Sequence, residues 1–99
     1  MSNTDSEVTH DVSVKLMAGE EADAIVAAAF VDNADITVED YGSYITINGN
    51  ERLEFSIETI VEELGRPYDV PNFLVVLASY TGQVDVADDR VFIKKAMST

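Results

Sequence analysis

Cysteine is absent from this 99-residue sequence, and histidine occurs once, at His10. The first absence excludes disulfides, iron–sulfur clusters, thiolate zinc sites and cysteine nucleophiles. The single histidine excludes a metal site or proton relay built on two or more imidazoles. Glycines stand singly at positions 19, 42, 49, 65 and 82, so no glycine-rich loop cradles a phosphate. No apolar run approaches the ~18 residues of a membrane span, and the N-terminus lacks the basic start of a signal peptide. A cytoplasmic location is therefore expected. Basic residues are scarce, with 6 Lys and Arg against 19 Asp and Glu, a formal net charge of −13. Such a chain repels nucleic acid and anionic membranes. What is abundant is apolar side chain, 46% of residues, which suits one packed core and is too much for a disordered acidic tail.

The charge is unevenly spread. Residues 1–65 hold fifteen acids and two bases, Lys15 and Arg52, whereas residues 66–99 are balanced. Within the balanced part, the window from Val70 to Val84 carries no charged side chain. Interface cores are depleted in charge, so this window is a candidate contact region. A buried strand with its turn would read the same way. That second reading is the expectation for Phe73–Leu77, and contact is the expectation for the polar stretch after it.

Residues 1–11 are polar and aperiodic and read as a short flexible tail. Val12, Val14 and Leu16 alternate with polar residues as a half-buried strand, which Ala18-Gly19 ends. Ala22, Ile25, Val26, Ala29 and Phe30 form the stripe of an amphipathic helix. Its first turn carries Glu20, Glu21 and Asp23, favoured there by the helix dipole, and Asp32-Asn33 closes it. Ile36 and Val38 mark a second strand, Asp40–Ser43 a turn, and 44–48 a third strand. Asn48-Gly49 signals a hairpin into a fourth strand, 52–55. Ser56 is an N-cap for a helix striped by Ile57, Ile60, Val61 and Leu64, ended by Gly65 and Pro67. The apolar run Phe73–Leu77 reads as a strand, and residues 78–83 as a loop. Val84 with Val86, then Val91 with Ile93, make the last two strands. The expected fold is α+β: two tandem strand–helix–strand–strand units, about 12–50 and 51–95, with two helices on mainly antiparallel sheets.

Catalytic constellations are missing. Ser79 has no histidine to activate it other than the distant His10. No carboxylate pair falls in an apolar setting that would raise a pKa for general-acid work. Tyr41, Tyr44, Tyr68 and Tyr80 serve packing or interfaces more commonly than ligand stacking. The residues thus describe a non-enzymatic docking protein, with no cofactor and no metal. A generic acidic module mimicking nucleic acid is the alternative, and a small carboxylate-dependent hydrolase or isomerase a further one.

Four stretches in fixed order bear on the partner: Val38-Glu39-Asp40-x-x-x-Tyr44, Leu64-Gly65-Arg66-Pro67-Tyr68-Asp69-Val70, Phe73-Leu74-Val75, and Ser79-Tyr80-x-Gly82-Gln83. Together they resemble the coupling (effector) proteins of soluble diiron monooxygenases, over roughly residues 14–94. Gly19-Glu20-x-Ala22-Asp23, with Asp32-Asn33 beyond it, is similar to the first helix of the phenol and toluene members. The resemblance implies a cofactor-free regulatory component that binds the hydroxylase large subunit over the helices covering its diiron centre. It also implies control of substrate and dioxygen access, and coupling of NADH use by a reductase or ferredoxin to hydroxylation or epoxidation. The family's hydroxylase-facing loop falls here on Val76 to Gln83. The implied interface is Arg66, Tyr68, Val76, Ala78, Ser79, Tyr80, Thr81, Gly82 and Gln83. Arg66 reads equally as a last-turn cation and Gly82 as a turn residue, whereas Asn33 is expected as a helix cap rather than a contact. Phe73 and Leu77 are assigned to the core. The bulky Tyr80 leans toward the toluene, phenol or alkene branch, with the substrate open.

Overall fold

The computed structural model describes residues 12–96, and the expected tail at 1–11 lies outside them. Chain order is β1 (Val12–Met17), α1 (Glu20–Asp32), β2 (Thr37–Asp40), β3 (Tyr44–Gly49), β4 (Arg52–Ser56), α2 (Ile57–Leu64), α3 (Val70–Val76), β5 (Leu77–Thr81), β6 (Gln83–Val86) and β7 (Arg90–Lys94). The strands form two antiparallel sheets, β2-β3-β1-β5 and β4-β7-β6. The α+β class is as expected, with three helices among the described residues rather than two. One core joins both sheets. Val12, Val14 and Leu16 of β1 meet Leu53 and Phe55 of β4, Ile25 of α1, Ile60 of α2, Phe73 of α3 and Val91 and Ile93 of β7. The Phe55 and Phe73 rings, 5.1 Å apart and tilted, tie α3 to the smaller sheet.

The expected strand at Phe73–Leu77 is a helix. Asp69 caps it, accepting from the Asn72 backbone N–H at 3.0 Å, and Pro71 lies in the first turn, where its missing N–H costs nothing. The run is not buried on both sides: Val70, Phe73 and Val76 face the core at helical spacing, while Leu74 and Val75 are 42% and 70% exposed. The expected loop at 78–83 is correspondingly a strand, β5, with Gly82 leading into β6. Leu77, assigned to the core, is only partly buried, because it begins an edge strand.

Two smaller expectations also fail. Asn48-Gly49 does not make a hairpin, since β3 and β4 lie in different sheets and neither residue has a positive φ. Glycine there leaves room for another side chain: a Cβ at 49 would lie 2.8 Å from Leu53 Cδ2, which would have to shift, where the chain turns the corner between sheets. On α1, Phe30 is exposed and the inward face is Ala22, Ala24, Ile25, Ala28 and Ala29. Small alanines let α1 lie close against α2 and β4. The caps of α2 are as read, with Ser56 accepting from the Thr59 N–H and Gly65 left-handed at φ +80°.

Candidate functional site

Strand alternation sorts the residues expected at the interface. In an antiparallel pair, residues directly opposite project to the same side. Thr81 lies opposite Ser13, Tyr80 opposite Val14 and Ser79 opposite Lys15, and the register slips before Leu77 meets Leu16. Ser79 and Thr81 therefore share the face that carries Ser13 and Lys15, away from the core. Tyr80 projects to the core side, but from an edge strand, so its ring stays 50% exposed. Ala78 is exposed within the register slip, and Gln83 is exposed at the start of β6.

The rest of the set divides by burial. Val76 is 6% exposed and packs inward from α3, so it supports this surface from beneath and is not part of it. Gly82 answers to sterics: at φ +122°, a Cβ would sit 2.6 Å from the Lys94 carbonyl oxygen and 3.2 Å from Val12 Cγ1. Arg66 is exposed and reaches Glu20, Nη1 to Oε2 at 3.1 Å, across the start of α1. Tyr68 packs against the core, with its hydroxyl buried and no hydrogen-bond partner among the described residues. Desolvation by burial, and secondarily the Glu21 and Asp69 charges, push its phenol up to about 12.

Two features were missed from sequence. Asn33 does more than cap α1: its side-chain Nδ2 donates to the Ala29 and Glu54 carbonyls at 3.0 and 2.9 Å, and its Oδ1 accepts from the Glu54 N–H at 2.8 Å. Asp32 accepts from the Ser56 N–H and the Thr59 hydroxyl. The pair therefore caps the free edge of β4 with side chains, and its only sequence signal was two polar residues at a helix end. The second is an aromatic cluster on the outer face, where Tyr41 stacks on Tyr44 at 4.8 Å and Lys15 Nζ lies 4.5 Å from the Tyr44 ring centre. Hydrogen bonding to Glu39 raises the Tyr41 pKa. Among the described residues no group of three or more acidic or imidazole side chains could hold a metal, and no helix is long and apolar enough to cross a membrane.

Among the described residues, a charge-free sheet edge with exposed aromatic and hydroxyl side chains has the composition of a docking surface. Comparison with known proteins makes this specific. The model of the MmoB/DmpM family matches residues 10–94. This chain belongs to that family. It is 34% identical, over 83 residues spanning 84% of this chain and 92% of the relative, to the stimulatory component DmpM of phenol 2-monooxygenase from Pseudomonas sp. strain CF600. Its fold is similar to a chain in a phenol hydroxylase–regulatory protein complex, with TM-score 0.76 and 29% identity, covering 84% of this chain and 95% of that one. The regulatory protein B of soluble methane monooxygenase shares the fold, with TM-score 0.68 at 24% identity over 98% of this chain and 75% of the other.

Proposed function

We propose that this protein is the regulatory component of a multicomponent monooxygenase of the phenol-hydroxylase type, working by docking on the hydroxylase and performing no bond chemistry itself. The observation that carries this is the match to DmpM along 92% of that relative's length, supported by the structural likeness to the phenol hydroxylase–regulatory protein complex. Residues 12–95 act as one effector domain. The hydroxylase meets the exposed members of the set, Ala78, Ser79, Tyr80, Thr81 and Gln83, with Arg66 at its margin. Their lack of charge in a chain of net −13 supports that assignment.

The mechanism is a population shift. A docked effector moves the hydroxylase between conformers only by the difference in its affinity for them, and ~3 kcal/mol of difference changes their ratio roughly a hundredfold. Substrate and dioxygen access then follow the favoured conformer, and NADH use through a reductase or ferredoxin becomes coupled to product. A cytoplasmic location belongs to the same proposal.

The test is titration of the protein into a reconstituted hydroxylase and reductase, following phenol hydroxylated and NADH consumed. A saturable rise in product per NADH is expected. Absence of both binding and stimulation would return the protein to the class of acidic docking modules.

A further inference from the structure

Lys15 differs from the cations around it. Arg52 and Arg90 both hold Glu54, Arg66 holds Glu20, and Lys94 holds Asp85 at 2.9 Å. Lys15 makes no ion pair among the described residues, and its ammonium lies over the Tyr44 ring instead. The nearest acid on the same face, Glu39, is already used, with Oε1 accepting from the Tyr41 hydroxyl at 2.9 Å and the Thr46 hydroxyl at 3.3 Å. Register places Lys15 between Thr46 of β3 and Ser79 of β5, with Glu39 beyond Thr46. The next row along is Thr37, Asn48, Ser13 and Thr81. This face points away from the core that Val12, Val14, Leu16, Ile45 and Ile47 fill from the other side. Helices α1 and α2 pack against β4 and each other, in the other half of the molecule.

The acids among the described residues are numerous, yet none of them forms an ion pair with Lys15. Seated on an aromatic ring, the ammonium keeps a favourable contact of modest strength at small desolvation cost. It also keeps its three donors available to an incoming anion. An extended polyanion is a poor match, because the remaining acids repel it. A single carboxylate on an otherwise neutral protein surface fits both the ammonium and the hydroxyl-rich rows beside it.

We propose that Lys15, held on the Tyr44–Tyr41 stack, anchors a carboxylate of the hydroxylase, so that the docking surface runs from β5 across the outward face of the larger sheet. This rests on the docking function above. The tyrosine pair adds contact area at low entropic cost, and Ser79 and Thr81 belong to the same continuous face.

The experiment measures hydroxylase binding at low and high salt for the wild type, Lys15→Met, Lys15→Glu, Lys15→Arg and Thr46→Glu. Glu58→Lys on α2 serves as a charge control outside this sheet, and thermal melts verify each fold. Lys15→Met is expected to weaken binding about tenfold, with a shallower salt dependence, and Lys15→Glu more. Lys15→Arg and Glu58→Lys should stay within about twofold of wild type. Thr46→Glu keeps Lys15 but pairs it from the neighbouring strand, and should weaken binding even if the Lys15 variants fold poorly. Wild-type binding that neither the Lys15 variants nor Thr46→Glu alters would overturn the anchor and leave the docking function standing. Failure of the wild type itself to bind or stimulate would remove the docking function and the anchor with it.

Discussion

At Gly82 the chain passes from one sheet to the other with the Lys94 carbonyl packed where a Cβ would be. Alanine there must both move backbone and hold a left-handed φ, so Gly82→Ala should lose about 3 kcal/mol, read as a lower urea midpoint with unchanged slope. Tyr68 is the opposite case. Its hydroxyl is buried without a partner, and Tyr68→Phe removes that burden, so stability should hold or rise by up to ~1 kcal/mol. The Tyr68 phenol also sets an alkaline limit. Its folded pKa, about 12, is above the unfolded 10.0, so the unfolded chain loses the proton first. The contribution is intact below pH 10 and declines as pH rises toward 12, and a melting series in that range should show a smaller decline in Tyr68→Phe. Tyr80, half exposed at an edge, should tolerate alanine in the melt while the variant loses hydroxylase affinity or changes product distribution. Unchanged affinity and products would remove Tyr80 from the docking surface.

Helix α1 is fixed to the smaller sheet through its last residues. Asn33 pairs with both backbone groups of Glu54 as a neighbouring strand would, and Asp32 takes the Ser56 N–H. Asn33→Ala leaves those groups unmatched, and should cost about 2 kcal/mol and speed hydrogen exchange at the Glu54 amide. A cap at Asn33 was legible from its place after the periodic stripe; the strand it would meet, 21 residues on, was not. The α2 element was readable in full, because its stripe, its serine cap and its glycine stop agree. Helix α3 was misread because its branched and aromatic residues favour strand locally. Its true signals, Asp69 as cap and Pro71 in the first turn, were outweighed by a short apolar run. Once Val70–Val76 turns helical, the following residues are free to pair with β1, which makes the expected loop a strand and gives its side chains a defined side.

Across the whole molecule, charge separates an acidic surface from the neutral one proposed for contact. The free edge of β4 is capped by Asp32 and Asn33, β2 ends in Glu39-Asp40, and β6 carries Asp85 paired with Lys94. Such devices discourage strand-to-strand association. Strand β5 has no charge and, among the described residues, no side-chain cap, as the proposed docking edge requires. If the fifteen acids of residues 1–65 steer the encounter, the association rate with the hydroxylase should fall as ionic strength rises, while dissociation changes little. Stopped-flow mixing over a salt series checks this. A flat response would leave the acids as a solubility device.

The α+β class, the second helix with its caps and the neutral window were legible in the residues, because these depend on residue type and local spacing. The ordered stretches carried the family resemblance for the same reason. That Val76 lies inside, that Gly49 and Gly82 sit at close approaches, and that Ser79 and Thr81 stand beside Lys15 while Tyr80 faces the other way emerges from packing alone. Each of these depends on which strands pair and in what register. Register is set by contacts between residues far apart in the chain, and shifting it by one residue exchanges the two faces of a strand.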